Sequence, residues 1–188
     1  MKRLTIITAT VLLAGCTFTP TPEPLSVSPV AIVTVAAKVD VLNTVVTNKL
    51  ALDQSNLLWN HKIPAMLKQL KHRVGKTWYV YSGSTPAGWD CSGLVMWAYK
   101  RLGVDVPHSA TAQGRLGKPT KHPRPGDIVV WGYGNFYFHS AIYYSDGWAI
   151  HVGRKGERTS FIKVSGKGFY GSTVSFVRVL PNPIKPVN

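Results

Sequence analysis

Three residues stand out for the chemistry they could perform together: Cys91, His139 and His151. Cys91 follows Asp90, a natural N-cap, and opens an apolar helical pattern with Leu94, Val95, Ala98 and Leu102 on one face. A cysteine in the first turn of a helix lies among unpaired backbone N–H groups, at the positive end of the helix dipole. Both favour thiolate over thiol, which makes Cys91 a candidate nucleophile near neutral pH. For a cysteine taken alone, a buried and inert thiol is the simpler reading. The histidines change that. The midpoint of positions 139 and 151 falls at 145, inside the turn Ser145-Asp146-Gly147. In a simple hairpin the two residues then face each other with side chains on one side of the sheet. If the Cys91 helix packs on that face, His139 can take the thiol proton and His151 can accept a hydrogen bond from the other ring nitrogen. The same donors could form a zinc site, but zinc usually takes close ligand pairs such as CxxC or HxxxH, and the sequence has neither. No metal or other cofactor is expected.

The elements that must position these residues change character along the chain. Pro64 suits the first turn of a helix over 63–74, which carries Lys68, Lys71 and Arg73 on its polar face and stops at Gly75. A short aromatic segment, 77–81, leads into a Gly/Ser/Pro loop at 82–88. The Cys91 helix stops at Gly103, and 109–113 makes about one further helical turn. After the turn Arg124-Pro125-Gly126-Asp127 the period becomes that of strands: 128–131, 136–144 and 148–152, then 159–164 and 174–180, with 132–137 an aromatic loop. Helices first and strands after predict an α+β domain, with the nucleophile helix packed on an antiparallel sheet.

The 188 residues suffice for one domain plus a tail or stalk. A net charge of +14 suits an anionic environment, but the basic residues are spread along the chain and no nucleic-acid motif accompanies them. Nucleic acid is therefore not an expected partner; a solvated basic surface that aids solubility is an equal reading. Lys2 and Arg3, the apolar run 4–13 and the small residues before Cys16 read as an export signal too short to span a bilayer. Leu13-Ala14-Gly15-Cys16 resembles the bacterial lipobox, which implies cleavage before Cys16, lipidation there and anchoring to a bacterial membrane, facing the cell wall or periplasm. A lipidated Cys16 cannot pair with Cys91. Pro20, Pro22, Pro24 and Pro29 mark an extended tether. The apolar recurrence Val35, Val39, Leu42, Val46, Leu50, Leu57 reads as a stalk helix, weakened by its Val and Thr content and a candidate for self-association. The expected organisation is signal 1–16, tether and stalk 17–60, catalytic domain 61–180 and a loose tail 181–188.

Five blocks, in order over 75–179, resemble the NlpC/P60 peptidases, papain-like cysteine hydrolases of bacterial cell-wall peptides. They are Asp90-Cys91-Ser92-Gly93-Leu94, Pro107-His108-Ser109-Ala110-Thr111-Ala112-Gln113, Pro125-Gly126-Asp127-Ile128-Val129, His139-Ser140-Ala141-Ile142-Tyr143 and Ala149-Ile150-His151-Val152. The resemblance implies a papain-like fold with Cys91 as nucleophile, His139 as base and His151 as its orienter. It implies that Tyr79 and the Cys91 backbone N–H hold the oxyanion, and that Asp90 and Ser92 help bind a free amine of a peptidoglycan stem peptide. The sequence departs from the family at Ser82, where Gly is frequent, at Tyr81, where Trp is, and at His108, where Arg is. The implied activity is hydrolysis of stem peptides at the D-glutamyl–diamino acid bond. An amidase, an acyl transferase or a non-catalytic wall-binding module on the same fold is the alternative. The lipobox makes the first testable prediction: Cys16→Ser should move the exported protein from the membrane to the soluble fraction on cell fractionation, whereas a wild type already soluble after export would remove the lipid anchor.

Overall fold

The computed structural model describes residues 29–165 and 168–181. The expected signal, lipidation site and proline tether, and most of the expected tail, lie outside the described residues. The chain divides into two units, Met1–Asn43 and Thr44–Asn188. Helix α1 spans Pro29–Leu57, and Val39, Leu42, Val46 and Leu50 on it are exposed. A π-helical turn, Leu58–Lys62, leads into α2, Ile63–Arg73, with proline in the first turn as expected. Among the described residues no helix is long and apolar enough to cross a membrane.

A two-stranded hairpin follows, β1 at Ser84–Thr85 and β2 at Gly88–Trp89, inside the stretch expected to be loop. Helix α3, Cys91–Leu102, begins at the expected cysteine and ends at Gly103, whose φ of 80° is the left-handed conformation a glycine adopts at little cost. A short helix α4, Ala110–Gly114, is capped by Ser109. The remaining strands are β3 Lys118–Thr120, β4 Ile128–Tyr133, β5 Phe136–Ser145, β6 Trp148–His151, β7 Ser160–Lys163 and β8 Thr173–Arg178. They form one antiparallel sheet in the order β3-β8-β4-β5-β6-β7. Strand β3 is an edge strand absent from the sequence reading; its Pro119 and flanking charges give no apolar alternation. The aromatic loop expected at 132–137 is instead a tight hairpin that pairs Tyr133 with Phe136.

Period-two alternation gives the sheet two apolar faces. Ile128, Val130, Ile142 and Ile150 pack against Met66 and Leu70 of α2 and Leu94, Val95, Ala98 and Tyr99 of α3. The alternate residues Val129, Trp131, Ala141, Tyr143 and Ala149 form a second cluster, with Phe138, Phe169 and Phe176 against it. Each fully buried aliphatic side chain contributes about 1.5–3 kcal/mol. Asp127, wholly buried, accepts from Arg178 Nη2 at 2.7 Å and from the Arg124 backbone N–H at 2.8 Å, closing the turn into β4.

Gly93, in the first turn of α3, is required for a different reason from Gly103: a Cβ there would meet the Gly83 carbonyl oxygen at 1.9 Å. The loop before Cys91 therefore lies directly on the helix. Gly93→Ala should lower unfolding free energy by about 1–3 kcal/mol, the scale of overpacking, measured by denaturant titration; an unchanged midpoint would mean the 83 loop moves freely.

Candidate active site

The Asp90 carboxylate starts α3. Oδ1 accepts from the Gly93 backbone N–H at 2.7 Å, from Ser92 Oγ at 3.0 Å and from His108 Nε2 at 2.8 Å. Oδ2 accepts from the Ser82 backbone N–H at 3.0 Å. Ser82 has φ of 56°, a backbone that favours glycine, at a position where the sequence departs from the NlpC/P60 pattern. His108, the other departure that bears on the site, takes its place as a donor to Asp90. Asp90 thus ties Ser82, His108 and the first turn of the helix together, and Ser92, which donates to it, is buried. Gln113, fully buried, donates to the carbonyls of Ser92 and Pro107 and fixes α4 against the same turn.

Cys91 is a free, partly buried thiol. Burial pushes its pKa above the usual thiol value, and the negative charge of Asp90 adds to this. Hydrogen bonds from the backbone N–H groups of Ser140, Ser92 and Cys91 itself pull the other way without prevailing. The expectation that the helix start alone would leave a ready thiolate is therefore corrected: desolvation outweighs it at rest. The Ser140 contact locates the sulfur. It meets β5 at the backbone of the residue that follows His139.

His139 and His151 are both buried, 6% and 7% exposed. The rings are edge to face at 5.1 Å, with His139 Nε2 and His151 Nδ1 3.0 Å apart. That bond engages one nitrogen of His139 and leaves Nδ1 for another partner. The strand register differs from the simple hairpin expected. Ile142 pairs with Ile150 and Tyr143 with Ala149, and an irregularity follows before Ser145 pairs with Trp148. The ladder through Ile142 and Ile150 is centred on residue 146 rather than 145, which puts the histidines two residues out of direct register and keeps them on one face as diagonal neighbours within reach of their rings. That face is the one opposite the body of α3: His139 packs on Trp131 at 5.2 Å and on Phe169 at 5.4 Å. Among the described residues no hydrogen bond joins the sulfur to an imidazole, as nucleophile–base pairs often lack before substrate arrives.

Burial lowers the His139 pKa to about 3, helped by His151, and lowers that of His151 to about 4 against the raising influence of Glu157. At neutral pH the thiol and both imidazoles are thus uncharged at rest. Tyr79, partly buried, is bridged to Trp89 and donates its backbone N–H to the Glu157 carbonyl at 2.9 Å. Its phenol pKa is raised by burial and by the nearby charges of Asp90 and Cys91, so it stays a protonated donor. A cleft of ≈ 420 Å³ opens beside the imidazoles, lined by Phe138, His139, His151, Gly153, Arg154, Glu157 and Phe169. Among the described residues no group of three or more His, Cys, Asp or Glu is placed to hold a metal ion. Sequence reasoning missed Ser140, Trp131, Phe169 and Glu157, whose roles come from pairing and packing that no local motif encodes.

Residues 75–178 match the NlpC/P60 family, and the chain belongs to it. A probable endopeptidase of Mycobacterium tuberculosis is 35% identical over 95 residues, which cover 48% of this chain and 23% of the relative. The gamma-DL-glutamyl hydrolase of Bacillus subtilis is 33% identical over 110 residues, covering 55% of this chain and 26% of the relative. The match thus spans about a quarter of these curated relatives' length. Among solved structures, an NlpC/P60 family protein from Bacillus cereus superposes with a TM-score of 0.58 at 26% identity, covering 63% of this chain and 40% of that one. The NlpC/P60 domain of the peptidoglycan hydrolase SagA gives 0.52 at 25%, covering 62% of this chain and 97% of that one. The architecture is the α+β, papain-like fold of that family.

The histidine pair ties stability to pH. Unfolded imidazoles titrate near 6.5, while the folded values are about 3 and about 4, so the unfolded chain binds more protons between these limits. The stabilisation is complete above 6.5 and is lost as pH falls toward the folded values. Thermal unfolding should show at least about 1 kcal/mol lost between about pH 7 and about pH 4.5, with a shallower loss in His151→Gln; parallel curves would contradict buried neutral imidazoles.

Proposed function

We propose that this protein is a cysteine endopeptidase that cuts peptidoglycan stem peptides at the D-glutamyl–diamino acid bond. One observation carries the reading: His139 Nε2 is engaged by His151 Nδ1 at 3.0 Å, which leaves Nδ1 free to serve as base, and the backbone of the next residue, Ser140, is among the groups that lower the Cys91 pKa. His139 Nδ1 then takes the thiol proton as Cys91 attacks the carbonyl carbon. A new C–S bond forms, and the developing oxyanion lies at the helix N-terminus, within reach of the Cys91 backbone N–H and the Tyr79 hydroxyl. Collapse breaks the C–N bond, His139 gives its proton to the leaving amine, and a thioester remains. A water deprotonated by His139 attacks the thioester and returns the thiol. His151 holds the tautomer of His139 throughout, and Asp90 and Ser92 bound the amine-binding end of the site. The resting neutral pair makes proton transfer part of the attack rather than a step before it.

The relatives named endopeptidase and gamma-DL-glutamyl hydrolase support a glutamyl peptide as substrate. An amidase or acyl transferase would use the same residues on another bond. The N-terminal signal supports an exported protein held at a bacterial membrane through lipidated Cys16, with 17–60 as tether and stalk, 61–180 as the catalytic part and 181–188 as a tail.

Cys91→Ala should abolish release of fragments from purified peptidoglycan, followed by mass spectrometry, while unfolding stays near wild type. His139→Ala should be almost as severe. His151→Asn should keep part of the activity, since an amide oxygen can accept the same bond, and His151→Ala should keep less. Tyr79→Phe should lower turnover by about one to three orders of magnitude. Full activity in Cys91→Ala, or activity abolished by chelation and restored by zinc, would overturn the thioester route.

A further inference from the structure

The end of α2, the turn after it and α3 frame a second concavity of ≈ 630 Å³ that the catalytic reading does not use. Lys68, Lys71, His72, Arg73, Lys76 and Arg101 line it. Among the described residues no carboxylate does, and the sequence from 54 to 89 contains no Asp or Glu. Lys68, Lys71 and His72 recur at helical spacing and so share one face of α2. Two of the cations are held in place: Lys76 Nζ donates to the His72 ring at 3.2 Å, and the Arg101 guanidinium lies over the Trp97 ring at 4.9 Å. Like charges gathered this closely repel one another, and a ligand carrying closely spaced negative charges relieves that repulsion while releasing counterions.

We infer that this groove docks a strand of a linear, non-nucleic-acid polymer that carries repeated phosphate groups. Repeated phosphates supply the closely spaced charges that several cations in one groove require. The site is concave, and its apolar lining residues, Val74 and Trp97, are partly buried rather than projecting. A strand reaches Trp97 and Arg101 in such a groove; a flat headgroup layer meets mainly the rim. Docking here holds the domain on an anionic matrix while leaving the cleft beside His139 open, and it is independent of the cysteine chemistry.

The test uses the full chain in detergent with inorganic polyphosphate as probe, by calorimetry at several salt concentrations. Combined Lys68→Gln, Lys71→Gln, Lys76→Gln and Arg101→Gln should weaken binding at least about tenfold and flatten its salt dependence. The control, Lys118→Gln, Lys121→Gln, Lys155→Gln and Lys163→Gln, removes the same charge from exposed residues outside the groove and should cost less than about threefold. Both variants should retain wild-type peptidoglycan hydrolysis and thermal unfolding, and the pair Lys71→Gln with Lys76→Gln serves if the fourfold variant unfolds. Cys91→Ala should bind polyphosphate as wild type does, so a failed catalytic reading and a failed groove give different results. Equal weakening in the two charge variants would reduce the groove to net charge alone. Loss confined to phosphatidylglycerol-containing vesicles, with polyphosphate binding kept, would make it a membrane contact; either result overturns the inference.

Discussion

The carboxylate of Asp90 is the joint on which the site depends. It accepts hydrogen bonds from three separate segments: the loop at Ser82, the first turn of α3 at Ser92 and Gly93, and His108 before α4. A free helix start exposes several unpaired N–H groups, and a capping side chain satisfies one of them for about 1 kcal/mol. Asp90 does this and also fixes the two strips of chain that flank the cysteine. The close approach of the Gly83 carbonyl to Gly93 is the steric counterpart of the same joint. Moving any one of these segments would displace Cys91.

The sheet supplies the other half, and its two buried faces divide the work. One face carries the helices and most of the aliphatic core. The other carries Trp131, Phe169 and the histidine pair. Desolvation on this second face keeps both imidazoles neutral, and at the helix start it keeps the sulfur protonated. Each effect alone would weaken the proposed pairing of Cys91 with His139. Together they leave the thiol and both imidazoles uncharged at rest, so none of the three is a buried charge that needs a partner.

Several features were legible because they rest on local chemistry. Asp90 before an apolar periodic run, Gly103 at its end and Asp146-Gly147 between alternating runs each prescribe a local backbone conformation, and the structure adopts all of them. The turn residues 146 and 147 both have positive φ, as a tight hairpin needs. The proximity of His139 and His151 was also legible, because parity along two strands joined by a tight turn restricts which residues share a face.

The sequence by itself thus determined the helix that starts at Cys91, its end at Gly103 and the strands that carry the two histidines, since propensity, capping and turn chemistry act over a few residues. Only the tertiary structure decided the offset register between β5 and β6, the edge strand β3 and the side of the sheet on which α3 lies. Register across this irregular hairpin depends on the residue at which its ladder is centred, and nothing in the local pattern announces it. The acidity of Cys91 was likewise a tertiary outcome: the helix start favours the thiolate, but burial against β5 disfavours it more strongly, and burial is a property of the packed molecule.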